Sequence, residues 1–218
     1  MCAASVLLRH HTTGEADMAV LLTTGQAAAE LDCAITTLRR LIRADVLPGL
    51  SHRGVRVMIP LDVVQALQQR PHTPLHRLDA REIAVLRIDA ARRVDENDRT
   101  WIGYAPHLGA GHLLKSLHGW WRCDPASIAA AGLLPVTLSG YVVAVLTGLD
   151  TWQRNDQGRY AFPDARLAGY ITDLAAPTME LTSARHDDRA LAALLLGTRL
   201  VSHSGGAIAY VTPDTTAS

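Results

Sequence analysis

The feature that most constrains this chain is a series of closely spaced helix and turn signals between positions 21 and 69. It starts with Thr23-Thr24-Gly25-Gln26, which has the spacing of a capping box. In that motif a threonine hydroxyl accepts an amide hydrogen bond at N3, and the N3 glutamine reaches back to the cap. The pattern predicts a helix that runs through Leu31 and ends near Asp32.

A second helix is predicted from Ile35 to Ala44, after a tight turn. Leu38, Leu41 and Ile42 fall at i, i+3 and i+4, so one face of this helix packs inward. The opposite face carries hydroxyl and guanidinium groups, from Thr36, Thr37, Arg39, Arg40 and Arg43.

A basic hairpin and a closing helix follow. His52 to Arg56 leads into the β-branched run Val57 to Ile59, which predicts a hairpin with arginines near its tip. Pro60 stops that strand and opens a helix through Leu67, because proline is tolerated at the first helical position. We expect Val63, Val64 and Leu67 to cover the hairpin.

Through TTGQAAAELDCAITTLRRLIRADVLPGLSHRGVRVMIPLDVVQAL the segment resembles the MerR/excisionase-like winged helix-turn-helix family. The resemblance implies that the second helix enters the major groove of duplex DNA while the wing contacts the backbone. Matching positions give the predicted DNA-binding residues Thr36, Thr37, Arg39, Arg40, Arg43, Arg53 and Arg56.

The sequence also departs from this family. Asp32 stands where glycine is common in the turn, Ala34 where a serine cap is common, and Ile35 where a polar residue is common. MerR proteins continue into a long coiled-coil helix, and no such pattern follows Pro71. The excisionase-like branch is therefore the nearer expectation.

Charge gives a local signal only. The formal net charge is +0, so any basic surface must come from clustering. The simplest alternative is that the arginines form an ordinary solvated helix face; another is that the same fold binds a protein. No acidic residue lies between Thr36 and Arg43 or between Arg53 and Arg56, which favours a polyanionic partner.

The prolines at 71 and 74 prevent the preceding helix from continuing and predict a domain boundary. The predicted organisation is an N-terminal extension (1–20), a winged helix-turn-helix domain (21–70), a linker (71–82), an α+β ligand-sensing or oligomerisation domain (83–212) and a loose tail (213–218).

The second domain is predicted as a small mixed α+β half-barrel. Its predicted strands are Ile83–Ile88, Leu133–Leu138, Tyr141–Leu146, Arg159–Phe162 and Ala207–Val211, and its predicted helices are His107–Trp121, Asp124–Ala131 and Asp188–Leu196. Ser139-Gly140 and Asn155 to Gly158 are turn signals, and Glu96-Asn97-Asp98 is a polar turn.

All four tryptophans lie between positions 101 and 152, beside a single phenylalanine in the whole chain. The segments GWWR, YVVAV, GRYAF and LGTRL resemble PUA-like or EVE-like barrels. That resemblance implies a pocket for a base or another flat ligand, lined by Trp101, Trp120, Trp121, Arg122 and Trp152. The alternative, which we favour, is that the tryptophans only fill the core.

The sequence indicates no catalytic residue, metal site or cofactor motif. Asp187-Asp188 and Asp95 to Asp98 are the nearest approach to nuclease carboxylates, but such residues also belong at helix starts and turns. The ten histidines form no HExxH motif and no cluster with cysteine, and the three cysteines are far apart, as expected of inert thiols in a reducing compartment. No apolar stretch approaches the ~20 residues of a membrane span.

These observations predict a cytoplasmic, sequence-specific duplex DNA-binding regulator or recombination accessory factor, without enzymatic activity. A homodimer and a small-molecule or nucleotide ligand are the expected further partners. The alternative is a two-domain reader whose C-terminal domain binds a modified base, nucleotide or RNA in a defence or modification system. A third hypothesis is a metal-dependent nuclease tethered by the DNA-binding module.

Overall fold

The computed structural model describes residues 20–96, 99–203 and 205–213. It contains both helices and strands, which agrees with an α+β class. The predicted extension before Val20, most of the polar turn at 96–98 and nearly all of the predicted tail lie outside the described residues.

The first third of the described chain forms a three-stranded sheet with three short helices. The helices are α1 (Thr24–Glu30), α2 (Ile35–Arg43) and α3 (Leu61–Gln68). The strands are β1 (Leu21–Thr23), β2 (Ser51–Arg53) and β3 (Arg56–Pro60), with β3 in the centre and antiparallel to both neighbours. The three predicted helices and the hairpin are confirmed. Strand β1 was not predicted, because three residues before a helix cap are too short to show a period.

The remainder forms a six-stranded sheet with small satellite elements. The main strands are β4 (Ile83–Ile88), β7 (Leu133–Leu138), β8 (Tyr141–Thr147), β11 (Arg166–Asp173), β12 (Thr178–Leu181) and β13 (Ile208–Val211). The short strands are β5 (Arg92–Arg93), β6 (Trp101–Ile102), β9 (Gln153–Arg154) and β10 (Tyr160–Ala161). The helices are α4 (Gly109–Leu117), α5 (Pro125–Ala131) and α6 (His186–Leu195).

The six-stranded sheet has the order β12-β11-β8-β7-β4-β13. Its pairs are antiparallel except β4 with β7, which run parallel because α4 and α5 lie between them in the chain. Strands β7 and β8 are buried along their whole length. The turn between them is the predicted Ser139-Gly140, where both residues have positive φ (54° and 83°).

One prediction in this region is wrong. The helix that was expected to reach Trp121 ends at Leu117, and His118 already has extended backbone dihedrals. The Trp120-Trp121 pair therefore lies outside any helix, and the backbone of Trp121 pairs with that of Tyr160 through two hydrogen bonds of 2.8 Å. Strands β11 and β12 were not predicted. In β11, Gly169 interrupts the β-branched pattern that marks a strand.

The two regions share one hydrophobic core, which runs without interruption from Ala27 of α1 to Ile208 of β13. The predicted linker is part of this packing. Thr73 is buried with its hydroxyl 2.7 Å from that of Thr198, and Leu75 is fully buried. The segment between α3 and β4 is thus attached to the large sheet, while the boundary of the domains stays a prediction.

Candidate nucleic-acid interface

The start of α1 is fixed by the capping box that the sequence predicts. The Thr23 hydroxyl accepts from the amide of Gln26 at 3.3 Å, and the Gln26 side-chain oxygen accepts from the amide of Thr23 at 3.0 Å. Past the end of α1, Asp32 has a φ of +47°. This left-handed conformation is the one that glycine adopts without strain, which explains why glycine suits this position. The tight turn ends α1 and separates it from α2.

Helix α2 has two distinct faces. Leu38 and Leu41 are buried at 0% and 1% exposure. The opposite face is an exposed ridge with the i, i+3, i+4, i+7 spacing of one helix face, formed by Thr36, Arg39, Arg40 and Arg43. Its N-cap, Ala34, makes no side-chain cap hydrogen bond, as the sequence leads us to expect, and Ile35 is 43% exposed.

The β2–β3 hairpin carries two more arginines next to its turn. Arg53 and Arg56 are cross-strand partners next to the turn, and both are exposed. Gly54 takes a φ of +61° there, and Val55 at the tip is 99% exposed. Because β3 also pairs with β1, the hairpin is held against the start of α1.

Helix α2 and the hairpin border an open groove of about 670 Å³, which we call the arginine groove. Five of the seven predicted DNA-binding residues line it: Thr36, Arg39, Arg40, Arg43 and Arg56. Arg53 is exposed on the hairpin but does not line the groove. Thr37 is only partly exposed, and its carbonyl accepts a hydrogen bond from Ser139 Oγ at 3.0 Å. That side of α2 therefore faces the large sheet.

Asp89 also lines the arginine groove, and no pattern in the sequence indicated that it would. Its carboxylate lies 3.6 Å from Arg40 Nε and 3.4 Å from Arg43 Nη2. It follows β4, where one of its oxygens accepts from the amide of Ala90 at 2.8 Å and its carbonyl accepts from the amide of Tyr104 at 3.0 Å. The large sheet thus supplies an acidic group to a groove that is otherwise basic.

The two ion pairs of Asp89 are exposed. The side-chain exposures are 48% for Arg40, 62% for Arg43 and 57% for Asp89. Pairs of this kind contribute about 0–1 kcal/mol each, so a phosphate is able to replace the carboxylate. Within the described part of the chain, Arg39 and Arg56 form no ion pair.

Of the five residues predicted for a ligand pocket, the structure brings together Trp120 and Trp121. Both line a cavity of about 390 Å³ and a neighbouring one of about 240 Å³. Trp101, Arg122 and Trp152 line neither. The ring of Trp101 instead packs edge-on to His107, with Arg93 5.2 Å from its centroid.

The favoured expectation that the tryptophans only fill the core is wrong. Trp120 and Trp152 are each 42% exposed, and Trp101 and Trp121 are partly exposed. Trp121 is the best anchored of the four tryptophans, because its backbone pairs with that of Tyr160 and its ring centroid lies 6.1 Å from the ring centroid of Phe162.

One of the carboxylates considered for catalysis, Asp188, has structural partners. Asp188 is buried in the first turn of α6, accepts from Ser183 Oγ at 2.8 Å and lies 3.5 Å from Arg166. Burial alone raises the pKa of this carboxyl, but the hydrogen bond from Ser183, the nearby hydroxyl of Thr147 and the charges of Arg166 and Arg185 lower it below its ordinary value. Asp188 is therefore a fixed anion that joins α6 to the sheet.

The two cysteines among the described residues, Cys33 and Cys123, are partly buried. Burial, with Asp32 nearby, raises the pKa of Cys33, and burial with Asp124 raises the pKa of Cys123 to about 11. Among the described residues, no group of three or more histidine, cysteine or acidic side chains is placed to hold a metal ion. In the same part of the chain, every helix is too short or too polar to cross a membrane.

Comparison with protein-family models, with curated proteins and with solved structures finds no match to this chain. Any function of this chain must therefore be inferred from its residues and their geometry.

Proposed function

We propose that this chain is a sequence-specific duplex DNA-binding protein of the winged helix-turn-helix type, most similar to the MerR/excisionase-like family. In this proposal α2 enters the major groove, the β2–β3 hairpin is the wing, and the half-barrel built on the large sheet senses a ligand or forms a dimer. Its setting is the cytoplasm, where it regulates transcription or assists recombination.

The observation that carries the proposal is the ridge of Thr36, Arg39, Arg40 and Arg43 on one exposed face of α2, opposite Arg56 of the hairpin. Phosphate contacts from arginine supply most of the affinity of such proteins for DNA. Arginine and threonine also read base edges, arginine by pairing with guanine.

The dimensions of α2 support the same reading. An α-helix with its side chains is about 10–12 Å across, and the major groove of B-DNA is about 12 Å wide and admits such a helix. The opposite face, with Leu38 and Leu41, is anchored in the core, so the arginines are presented on a rigid element. If the protein dimerises, its target is expected to contain two symmetric half-sites.

The test is fluorescence anisotropy on a random duplex across a salt series, with wild type beside an Arg39→Ala/Arg40→Ala variant. We expect salt-sensitive binding by wild type. In the variant, affinity falls at least about tenfold and the log–log salt slope is smaller by about 2, because each phosphate contact releases roughly one counterion.

The matched control is Arg77→Ala/Arg81→Ala, which removes the same charge from exposed arginines that do not line the groove. This control should bind as wild type does. Equal loss in both double variants would indicate a general charge effect, and equal binding by all three proteins, or none, would overturn the proposal. With wild-type binding established, site selection from a random library tests sequence specificity.

A further inference from the structure

The two cavities beside the tryptophan pair are continuous in their lining. Five residues line both of them: Arg99, His118, Gly119, Trp120 and Trp121. Together they form one recess, which we call the tryptophan recess, and its larger part of about 390 Å³ lies in the usual range for small-molecule sites.

The two aromatic walls of the recess differ in how closely they are packed. Trp121 is held by its backbone pairing to Tyr160 and by its packing near Phe162. Gly119 lies so close to it that a Cβ at this position would come within 3.2 Å of Trp121 Nε1. Trp120 is 42% exposed although it lines both cavities. An exposed indole in a concave site is a surface on which a flat ring can stack.

The charge of the recess is positive. Arg99 is already engaged, since it pairs with Glu96 at 2.6 Å and donates to the carbonyl of His118. Arg92 and Arg159 also line the larger cavity, and neither forms an ion pair with a described residue. Asp89 also lines the larger cavity, but its carboxylate is within ion-pair distance of Arg40 and Arg43. Two guanidinium groups therefore remain for an anion.

From this arrangement we infer that the tryptophan recess binds a small ligand that combines a planar ring with an anionic group, of the nucleoside monophosphate class. The ring stacks on Trp120 against the fixed wall of Trp121, and the phosphate contacts Arg92 and Arg159, whose planar guanidiniums suit phosphate oxygens. Among the described residues, Asp89 alone lines both this recess and the arginine groove. Ligand binding in the recess is expected whether or not α2 binds DNA.

The test is isothermal titration calorimetry of the full-length protein with AMP, GMP, CMP and UMP, beside the matching nucleosides and inorganic phosphate. At least one monophosphate should bind saturably and more tightly than its nucleoside or phosphate alone. Trp120→Ala should weaken it about tenfold or more through the loss of stacking. Arg159→Gln should weaken the monophosphate and leave nucleoside binding unchanged.

The chain offers matched controls. Trp152 is as exposed as Trp120, and Arg122 is an exposed arginine beside Trp121, yet neither lines the recess. Trp152→Ala and Arg122→Gln should bind the ligand as wild type does, with circular dichroism verifying that every variant is folded.

Three results would overturn the inference. One is the lack of saturable binding by all four monophosphates. Another is equal weakening by Trp120→Ala and Trp152→Ala, and the third is inorganic phosphate binding as tightly as any monophosphate. In the first case, binding of a single-stranded oligonucleotide would favour a polymer-reading role for this region instead.

Discussion

The arginine groove and the tryptophan recess are both concave and both basic, but their arginines have different company. The groove is lined mostly by residues of a short stretch, Thr23 to Val57, and no aromatic side chain among the described residues contributes to it. The recess collects Arg92, Trp120, Trp121 and Arg159 from segments far apart in the chain. Guanidinium groups alone attract any anion, and the neighbouring side chains decide which one is retained.

This difference separates two kinds of ligand. Arginines at one-turn intervals along a helix match a repeating row of phosphates, for which no ring contact is needed. Arginines beside an exposed indole match a single anionic group attached to a ring. Both surfaces rest on one continuous core, and among the described residues they share only Asp89. Variants can test the shared core and the shared carboxylate in turn.

The largest expected effect comes from breaking the shared core below the groove. Leu38 is fully buried under α2, so Leu38→Ala should lower the free energy of unfolding by about 2–5 kcal/mol. Every tryptophan lies in the C-terminal region. Because the core is continuous, we expect tryptophan fluorescence and far-UV circular dichroism to report one shifted denaturation transition.

Ile35→Ala is the control in the same helix, since Ile35 is 43% exposed and its removal should cost under about 0.5 kcal/mol. If Leu38→Ala left the tryptophan transition where it is in wild type, the two regions would unfold separately. The arginine groove and the tryptophan recess would then belong to independent domains.

The same contrast between regions explains how much was predictable from the sequence. In the first region the signals are local. The capping box at Thr23, the Leu38–Leu41 spacing and the hairpin before Pro60 each lie within a few residues, and the structure has all of them. Five of the seven residues named from the sequence therefore line the groove, whereas Thr37 and Arg53 do not.

The rest depended on contacts between distant segments. Strand β11 pairs with β8 and β12 but has no clean alternation, and the Trp120–Trp121 segment leaves its helix to pair with Tyr160. Asp89 meets Arg40 only because β4 ends beside α2. No local pattern encodes such encounters, which is why the predicted pocket kept two of its five residues.

Asp188 and Asp89 both pair with arginine, but Asp188 is buried and Asp89 is exposed in the arginine groove. We expect removal of the Asp188 charge to lower stability, and removal of the Asp89 charge to have a smaller effect, on DNA binding. Asp188→Asn should cost about 1.5–3 kcal/mol at neutral pH, because Asn cannot replace the charged acceptor for Ser183 and Arg166. The folded-state pKa is lowered, so this stabilisation is present above the ordinary value near 3.9 and is lost as the pH falls through the lower folded pKa.

Urea denaturation of wild type and Asp188→Asn at several pH values checks this, and the gap between them should close in acid below about pH 4. Asp187→Asn is the matched control, since that neighbouring carboxylate is 89% exposed. A gap that persisted unchanged into strong acid would show that the packing of the amide, rather than the charge of the carboxylate, causes the loss.

The smallest expected effect concerns Asp89, the residue that connects the two regions electrostatically. Its carboxylate lies beside Arg40 and Arg43. In the proposed complex a DNA phosphate would lie there too, so we expect the carboxylate and the phosphate to compete for these guanidiniums. Because both ion pairs are exposed, Asp89→Asn should raise affinity for random duplex DNA only up to about fivefold, most clearly at low salt. Asp150→Asn, the same charge change at an exposed site outside the groove, should change affinity less. The sign of the result discriminates between two roles. A rise in affinity means that the carboxylate competes with DNA, whereas a fall means that it holds the two guanidiniums in the geometry that DNA requires.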